Sequence, residues 1–166
     1  LCSMLFCILN LIIFNLGGRM STIKVFSYVV KPSEKERTQI IDFLFEHLEE
    51  FGDPRADIEK SCAYALRENG KLGGFVLARY ENSQVTGAVV GNQTGMKDYI
   101  PENILVYIAT HTAMRGKGIG KELMQKAIEI AEGSIALHVE PDNPAKFLYE
   151  KVGFTNKYLE MRYKKC

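Results

Sequence analysis

The segment from Ile104 to Gly133 constrains this chain more than any other, because it reads as a strand, a glycine-rich loop and a helix in direct succession. Ile104-Leu105-Val106-Tyr107-Ile108-Ala109 is an unbroken apolar run of strand length, the pattern of a strand covered on both faces. From Ile119 the period changes. Ile119, Leu123, Ala127, Ile130 and Ala131 share one helical face, Lys121, Glu122, Gln125, Lys126, Glu129 and Glu132 take the other, and Gly133 stands where the helix should end. A helix start preceded by glycines presents unpaired N–H groups and the positive end of the helix dipole, with room for an anion against the main chain. This junction is therefore expected to bind a phosphate.

Spacing separates the phosphate loops that could stand here. A P-loop ending at Gly120-Lys121 would need a glycine at Arg115 and a hydroxyl at Glu122, and a dinucleotide fingerprint would need its third glycine at Lys121. Neither fits. The hexamer Arg115-Gly116-Lys117-Gly118-Ile119-Gly120 instead follows Arg/Gln-x-x-Gly-x-Gly.

The remainder of the chain has the character of one ordinary domain. Its 166 residues carry a net charge of +1, with 46% hydrophobic and 25% charged, and show no basic run or aromatic-interleaved patch that would suit nucleic acid. Cysteines at 2, 7, 62 and 166 lack CxxC or metal-ligand spacing, so a reducing, cytoplasmic setting and no metal site are expected. Leu1–Leu16 is apolar, yet it has neither a basic leader nor a small-residue cleavage site, and it is short of the ~20 residues of a membrane-spanning helix. Gly17-Gly18-Arg19 before Met20 reads as an in-frame bacterial ribosome-binding site. We therefore expect residues 1–19 to be upstream sequence or a hydrophobic leader, and residues 20–166 to be the single domain, with no membrane association if the chain starts at Met20.

From Met20, Ile23 and Val25 alternate with Lys24 and Phe26 in a first strand. Ser33-Glu34-Lys35-Glu36 is a capping box opening a helix whose inner face carries Ile40, Ile41, Leu44, Leu48 and Phe51; His47 lies at its margin, a packed or solvated position. Ile58, Cys62, Ala65 and Leu66 mark a second helix. Leu72–Tyr80 and Gln84–Gly91 form a hairpin across Glu81-Asn82-Ser83, in which Gly87 and Gly91 mark bulges or close approaches. After the Ile104–Gly133 unit come a short strand, Ser134–Glu140, a capped helix near Asn143-Pro144, and a last strand with Leu159, Met161 and Tyr163 on one face.

That capped helix carries a second motif. Asn143-Pro144-Ala145-Lys146-Phe147-Leu148-Tyr149-Glu150-Lys151-Val152-Gly153-Phe154 resembles the Asn…Ala…Leu-Tyr-Glu-Lys-Leu-Gly-Phe signature of the GNAT superfamily of N-acetyltransferases, and Arg115–Gly120 resembles the acyl-CoA pyrophosphate loop of the same superfamily. The motifs stand in the family's order, and the similarity runs from Ile23 to Tyr163. The resemblance implies an α/β (α+β) fold, a mixed and mostly antiparallel twisted sheet of about seven strands flanked by about four helices. It implies a transferase that moves an acetyl group from acetyl-CoA directly to a primary amine of a small molecule or peptide. A homodimer stays open. The alternative function is a non-catalytic acyl-CoA-binding sensor or regulatory module.

By position, the resemblance assigns the main chain of Ile108, Ala109 and Thr110 to the pantetheine arm. It assigns Arg115, Gly116, Lys117, Gly118, Ile119, Gly120 and Lys121 to the pyrophosphate, and Asn143 to the pantetheine or its loop. Tyr149 becomes the acid that protonates the departing thiolate. Many relatives carry an acidic base on the strand that here runs Ile104–Ala109, and none stands in it. His138 and Glu140, two apart on one strand face, are candidates for the base, with His111, Glu102 and an ordered water as alternatives. Glu46, Glu49, Glu50, Asp53 and Asp57 would suit a cationic amine, or form a solvated face. The acceptor stays open.

Overall fold

The computed structural model describes residues 12–16 and 19–165. One sheet of six strands runs in chain order, β1 (Ile12–Leu16), β2 (Arg19–Phe26), β3 (Gly74–Glu81), β4 (Gln84–Gln93), β5 (Asn103–Thr110) and β6 (Ile135–Leu137). The first four pairings are antiparallel and β5 with β6 is parallel. Helices α1 (Glu34–His47) and α2 (Arg55–Ala65) cover one face, and α3 (Ile119–Ile130) and α4 (Ala145–Lys151) the other. No described helix is long and apolar enough to cross a membrane.

Each local reading has its physical counterpart. Ser33 accepts from the Glu36 N–H while the Glu36 carboxylate accepts from the Ser33 N–H at 2.9 Å, and Lys24 at 2.6 Å holds that carboxyl down at about 2. Asn82 and Ser83 both take positive φ, 50° and 64°, giving the β3–β4 hairpin the two left-handed positions of a tight primed turn. Gly87 lets α3 lie against β4, since a Cβ there would come within 2.6 Å of Leu123 Cδ1. Two cores result. Phe26, Leu44, Ile58, Val90 and Tyr107 belong to the α1/α2 side, and Ile23, Leu77, Val89, Leu105 and Leu123 to the α3/α4 side.

Three expectations change. About seven strands were expected; the described residues form six, of which only β2 to β6 come from Arg19 onward. No strand follows α4 among the described residues, and Leu159, Met161 and Tyr163 are 87–93% exposed, an alternating strip that is neither paired nor buried. The short strand stops at Leu137 rather than Glu140. As for the N-terminal reading, Ile12–Leu16 pairs with β2, while residues 1–11 and 17–18 lie outside the described residues.

Candidate functional site

The Arg115–Gly120 loop closes onto α3 as the glycines require. Gly116 and Gly118 have φ of 77° and 84°, Gly118 is the N-cap of α3, and a Cβ at either would meet nothing within 4 Å. No side chain caps this helix start, and within the described protein the N–H groups from Gly116 to Lys121 have no acceptor. The loop is thus an open cradle of main-chain donors at the positive end of a helix, which fits a pyrophosphate. Gly120 differs from the other two. Its Cβ would come within 2.9 Å of Leu148 Cδ2, so this glycine lets α4 pack on α3.

Beside the cradle, β5 has a free edge. Its pairing with β6 covers only Asn103, Ile104 and Leu105. The next residue, Val106, is the extra residue of a bulge, since Val90 pairs with Tyr107 and Gly91 with Leu105. The bulge changes which edge each main-chain group faces. His111 donates to Thr86 O at 3.0 Å, so by strand alternation Ala109 and Tyr107 turn their N–H and C=O toward β4. Ile108 and Thr110 then turn theirs to the edge that β6 leaves uncovered. Of the residues assigned to the pantetheine arm, these two can pair with an extended ligand and Ala109 lies in the ladder between them.

Tyr149 is held by its own motif. Phe154 N–H donates to Tyr149 O at 3.0 Å and Gly153 N–H to Glu150 O at 3.1 Å, with Gly153 at φ 102°. This is a Schellman cap, and its customary apolar contact is the Tyr149–Phe154 ring pair, with centroids 6.2 Å apart. The signature Tyr-Glu-Lys-Val-Gly-Phe therefore has a mechanical meaning: glycine ends the helix so that the phenylalanine returns onto the tyrosine. Tyr149 is 7% exposed in the α3/α4 core, and burial pushes its phenol up to about 12. It stays protonated across the physiological range.

Asn143, one residue ahead of Pro144, the N-cap of α4, accepts at Oδ1 from the Ala145 N–H at 2.9 Å, which leaves its Nδ2 to donate elsewhere. His138 and Glu140 are exposed beyond the end of β6, with His138 Nε2 3.8 Å from Glu160 Oε1. They are not packed with Tyr149, which belongs to the core beneath. Arg115, assigned to the pyrophosphate, points the other way: its guanidinium donates to Glu49 Oε2 at 3.1 Å and His47 O at 3.2 Å.

That contact belongs to a cluster which periodicity did not reveal. His47 is buried, its ring 4.5 Å from that of His111, and its Nδ1 lies 3.2 Å from Thr112 Oγ1, which in turn donates to Glu49. Burial, then the neighbouring His111, lowers the His47 pKa. The cluster ties the end of α1 to the approach to the cradle. Tyr107 donates to Asp53 Oδ2 at 2.6 Å, fixing the α1–α2 loop over the sheet, and its pKa is raised by burial and by Asp53. The only advance signal for either was the weak one of polar residues at the margins of apolar faces.

A free strand edge thus leads into a main-chain anion cradle, and a buried phenol lies in the core on the α3/α4 side. Residues 28–154 match the model of the Acetyltransferase (GNAT) family, and the chain belongs to that family. No curated protein sequence matches it significantly. Among solved structures it is similar to an aminoglycoside N-acetyltransferase, AAC(6')-Iy, in complex with CoA, with TM-score 0.64, 14% identity, and 90% of this chain and 99% of that one covered. The aminoglycoside 6'-N-acetyltransferase AAC(6')-IG from Acinetobacter haemolyticus aligns with TM-score 0.59 at 15% identity over 86% and 98%. Ard1 from Thermoplasma volcanium aligns with TM-score 0.58 at 20% identity over 81% and 82%. At these identities the likeness is one of fold.

Proposed function

We propose that this chain is an acetyl-CoA-dependent N-acetyltransferase that moves the acetyl group directly to a primary amine. The observation that carries the reading is the continuity of two unsatisfied main-chain surfaces, the outer edge of Ile108 and Thr110 and the N–H groups from Gly116 to Lys121. Acetyl-CoA supplies the acetyl group as a thioester. The strand edge holds the pantetheine arm as an added strand would be held, and the cradle holds the pyrophosphate. A free N–H on that edge, from Ile108 or Thr110, is the oxyanion donor. The amine forms the new C–N bond as the C–S bond breaks, Tyr149 protonates the departing sulfur, and the amine's proton leaves to His138, Glu140, His111 or water. We place this activity in residues 20–166, since β1 pairs only with the outer edge of β2.

The test is acetyl-CoA turnover over a panel of small amines, aminoglycosides and peptide N-termini, run with the full chain and with one starting at Met20. Release of free thiol that depends on an amine, equal for both chains, supports the reading. Acetyl-CoA binding without turnover of any amine would favour the sensor. Activity lost on starting at Met20 would refute the domain limits.

A further inference from the structure

We propose that Arg79 is a positioning residue of the pyrophosphate cradle: its buried guanidinium cancels the Glu122 carboxylate and pins both ends of the loop. The proposal rests on the acetyl-CoA reading above. Arg79 lies on β3 and is 9% exposed, unusual for an arginine facing the interior of a sheet. Its Nε donates to Glu122 Oε2 at 3.0 Å, and its Nη1 to Thr86 Oγ1 at 2.7 Å and Glu81 Oε2 at 3.2 Å.

Two of these contacts, to Glu122 and Thr86, lead to the cradle. Glu122 lies in the first turn of α3, adjacent in sequence to Lys121, and its N–H donates to Gly118 O at 3.0 Å, the first helical bond after the glycines. A carboxylate there favours the helix dipole in the free protein but opposes a phosphate arriving at the same helix start. Thr86 is the extra residue of a β4 bulge opposite Arg79 and Tyr80, and its carbonyl accepts the His111 N–H where β5 ends. One guanidinium therefore reaches, through Glu122, the Gly118 N-cap of α3 and, through Thr86, His111, the residue that follows β5. The loop between them is the cradle. A buried cation needs paired, hydrogen-bonded carboxylates, and here one partner is the very charge that would otherwise face the ligand.

A purely structural staple would lower stability and leave the affinity of the folded protein alone. The experiment is calorimetric titration of the full chain with CoA, with thermal denaturation of the ligand-free protein, for Arg79→Met, Glu122→Gln and the double variant. Arg79→Met is expected to weaken CoA binding about tenfold, the order set by one uncompensated like charge in partly solvated surroundings. Glu122→Gln alone should leave affinity at or above the parent's. The double variant should recover it to within about threefold although its melting temperature stays low, because the repulsion has gone and the staple has not returned. Affinity in Arg79→Met equal to the parent's, or no recovery in the double variant, would overturn the proposal. Should Arg79→Met fail to fold, Arg79→Lys, which keeps the charge without the fork, should show a smaller loss that Glu122→Gln removes. A parent chain that takes up no CoA would overturn the acetyl-CoA reading instead, and this proposal with it.

Discussion

The cradle's glycines have different tasks, and substitution should separate them. At Gly118 (φ 84°) a valine must adopt the left-handed conformation, which costs a non-glycine residue about 1–2 kcal/mol. For a chain of 166 residues that is a fall in melting temperature of about 2–8 °C, since each kcal/mol shifts it by roughly 2–4 °C. Nothing in the free protein adds to this, because a Cβ there meets no atom within 4 Å. The ligand meets it instead. Displacing a phosphate from two main-chain donors forfeits charge-assisted hydrogen bonds of about 1.5–3 kcal/mol each, so affinity should fall on the order of 10²-fold or more. Gly120→Ala should behave oppositely. Its methyl presses on Leu148 Cδ2 at 2.9 Å, an overpacking cost of about 1 kcal/mol that the gain in helix propensity roughly offsets, with acetyl-CoA affinity held within about tenfold. Lys117→Ala removes one exposed charge and should cost only severalfold. Calorimetry with acetyl-CoA alongside thermal denaturation reads both quantities. Equal affinity losses in all three variants, or a Gly118→Val protein binding within threefold of the parent, would refute main-chain geometry as the basis of the site.

Tyr149→Phe keeps the buried ring and its contact with Phe154 while removing the proton, so kcat should fall toward the ~10²–10⁴-fold typical of general acid catalysis with acetyl-CoA affinity unchanged; full activity, with chemistry rate-limiting, would remove the acid assignment. The same phenol sets an alkaline limit, because the folded chain keeps its proton to about 12 while an unfolded tyrosine loses it near 10. Stability from this group is complete below pH 10 and is lost as pH rises through 12, a decline that should be shallower in Tyr149→Phe. The base should show itself in the acidic limb of kcat/KM, which must vanish in His138→Ala, Glu140→Gln or His111→Gln for that residue to hold the role; survival in all three leaves deprotonation to solvent. Glu36, held down at about 2, stabilises the capping box above its ordinary value of 4.5, and that contribution is lost as pH falls through 2. Ser33→Ala should cost about 1 kcal/mol in chemical denaturation, and Glu36→Gln should flatten the acid side of the stability curve.

Much of the site was legible because its parts are local. The Arg115–Gly120 cradle needs only left-handed positions at Gly116 and Gly118 and an amphipathic helix after them, and the Tyr149 mount needs only a glycine three or four residues past the tyrosine with an aromatic behind it. Both are written within a dozen residues. The expected last strand failed for the complementary reason. Leu159, Met161 and Tyr163 alternate correctly, but alternation says which side chains share a face and nothing of whether the segment pairs with a neighbouring strand.

By itself, then, the sequence determined the elements whose causes lie in neighbouring residues: the Ser33 capping box, the Asn82-Ser83 turn, the buried β5 strand, the glycine cradle and the tyrosine cap. Only the tertiary structure decided what depends on residues far apart in the chain. The bulge at Val106 chose Ile108 and Thr110, not Ala109, for the free edge. Arg115 was drawn to Glu49 and the His47 carbonyl on an exposed surface, and Arg79 to Glu122 in a largely buried setting, where opposite charges attract more strongly than in water; both pairs join residues far apart in the chain. A single side chain carries no record of which distant partner the folded sheet will set against it.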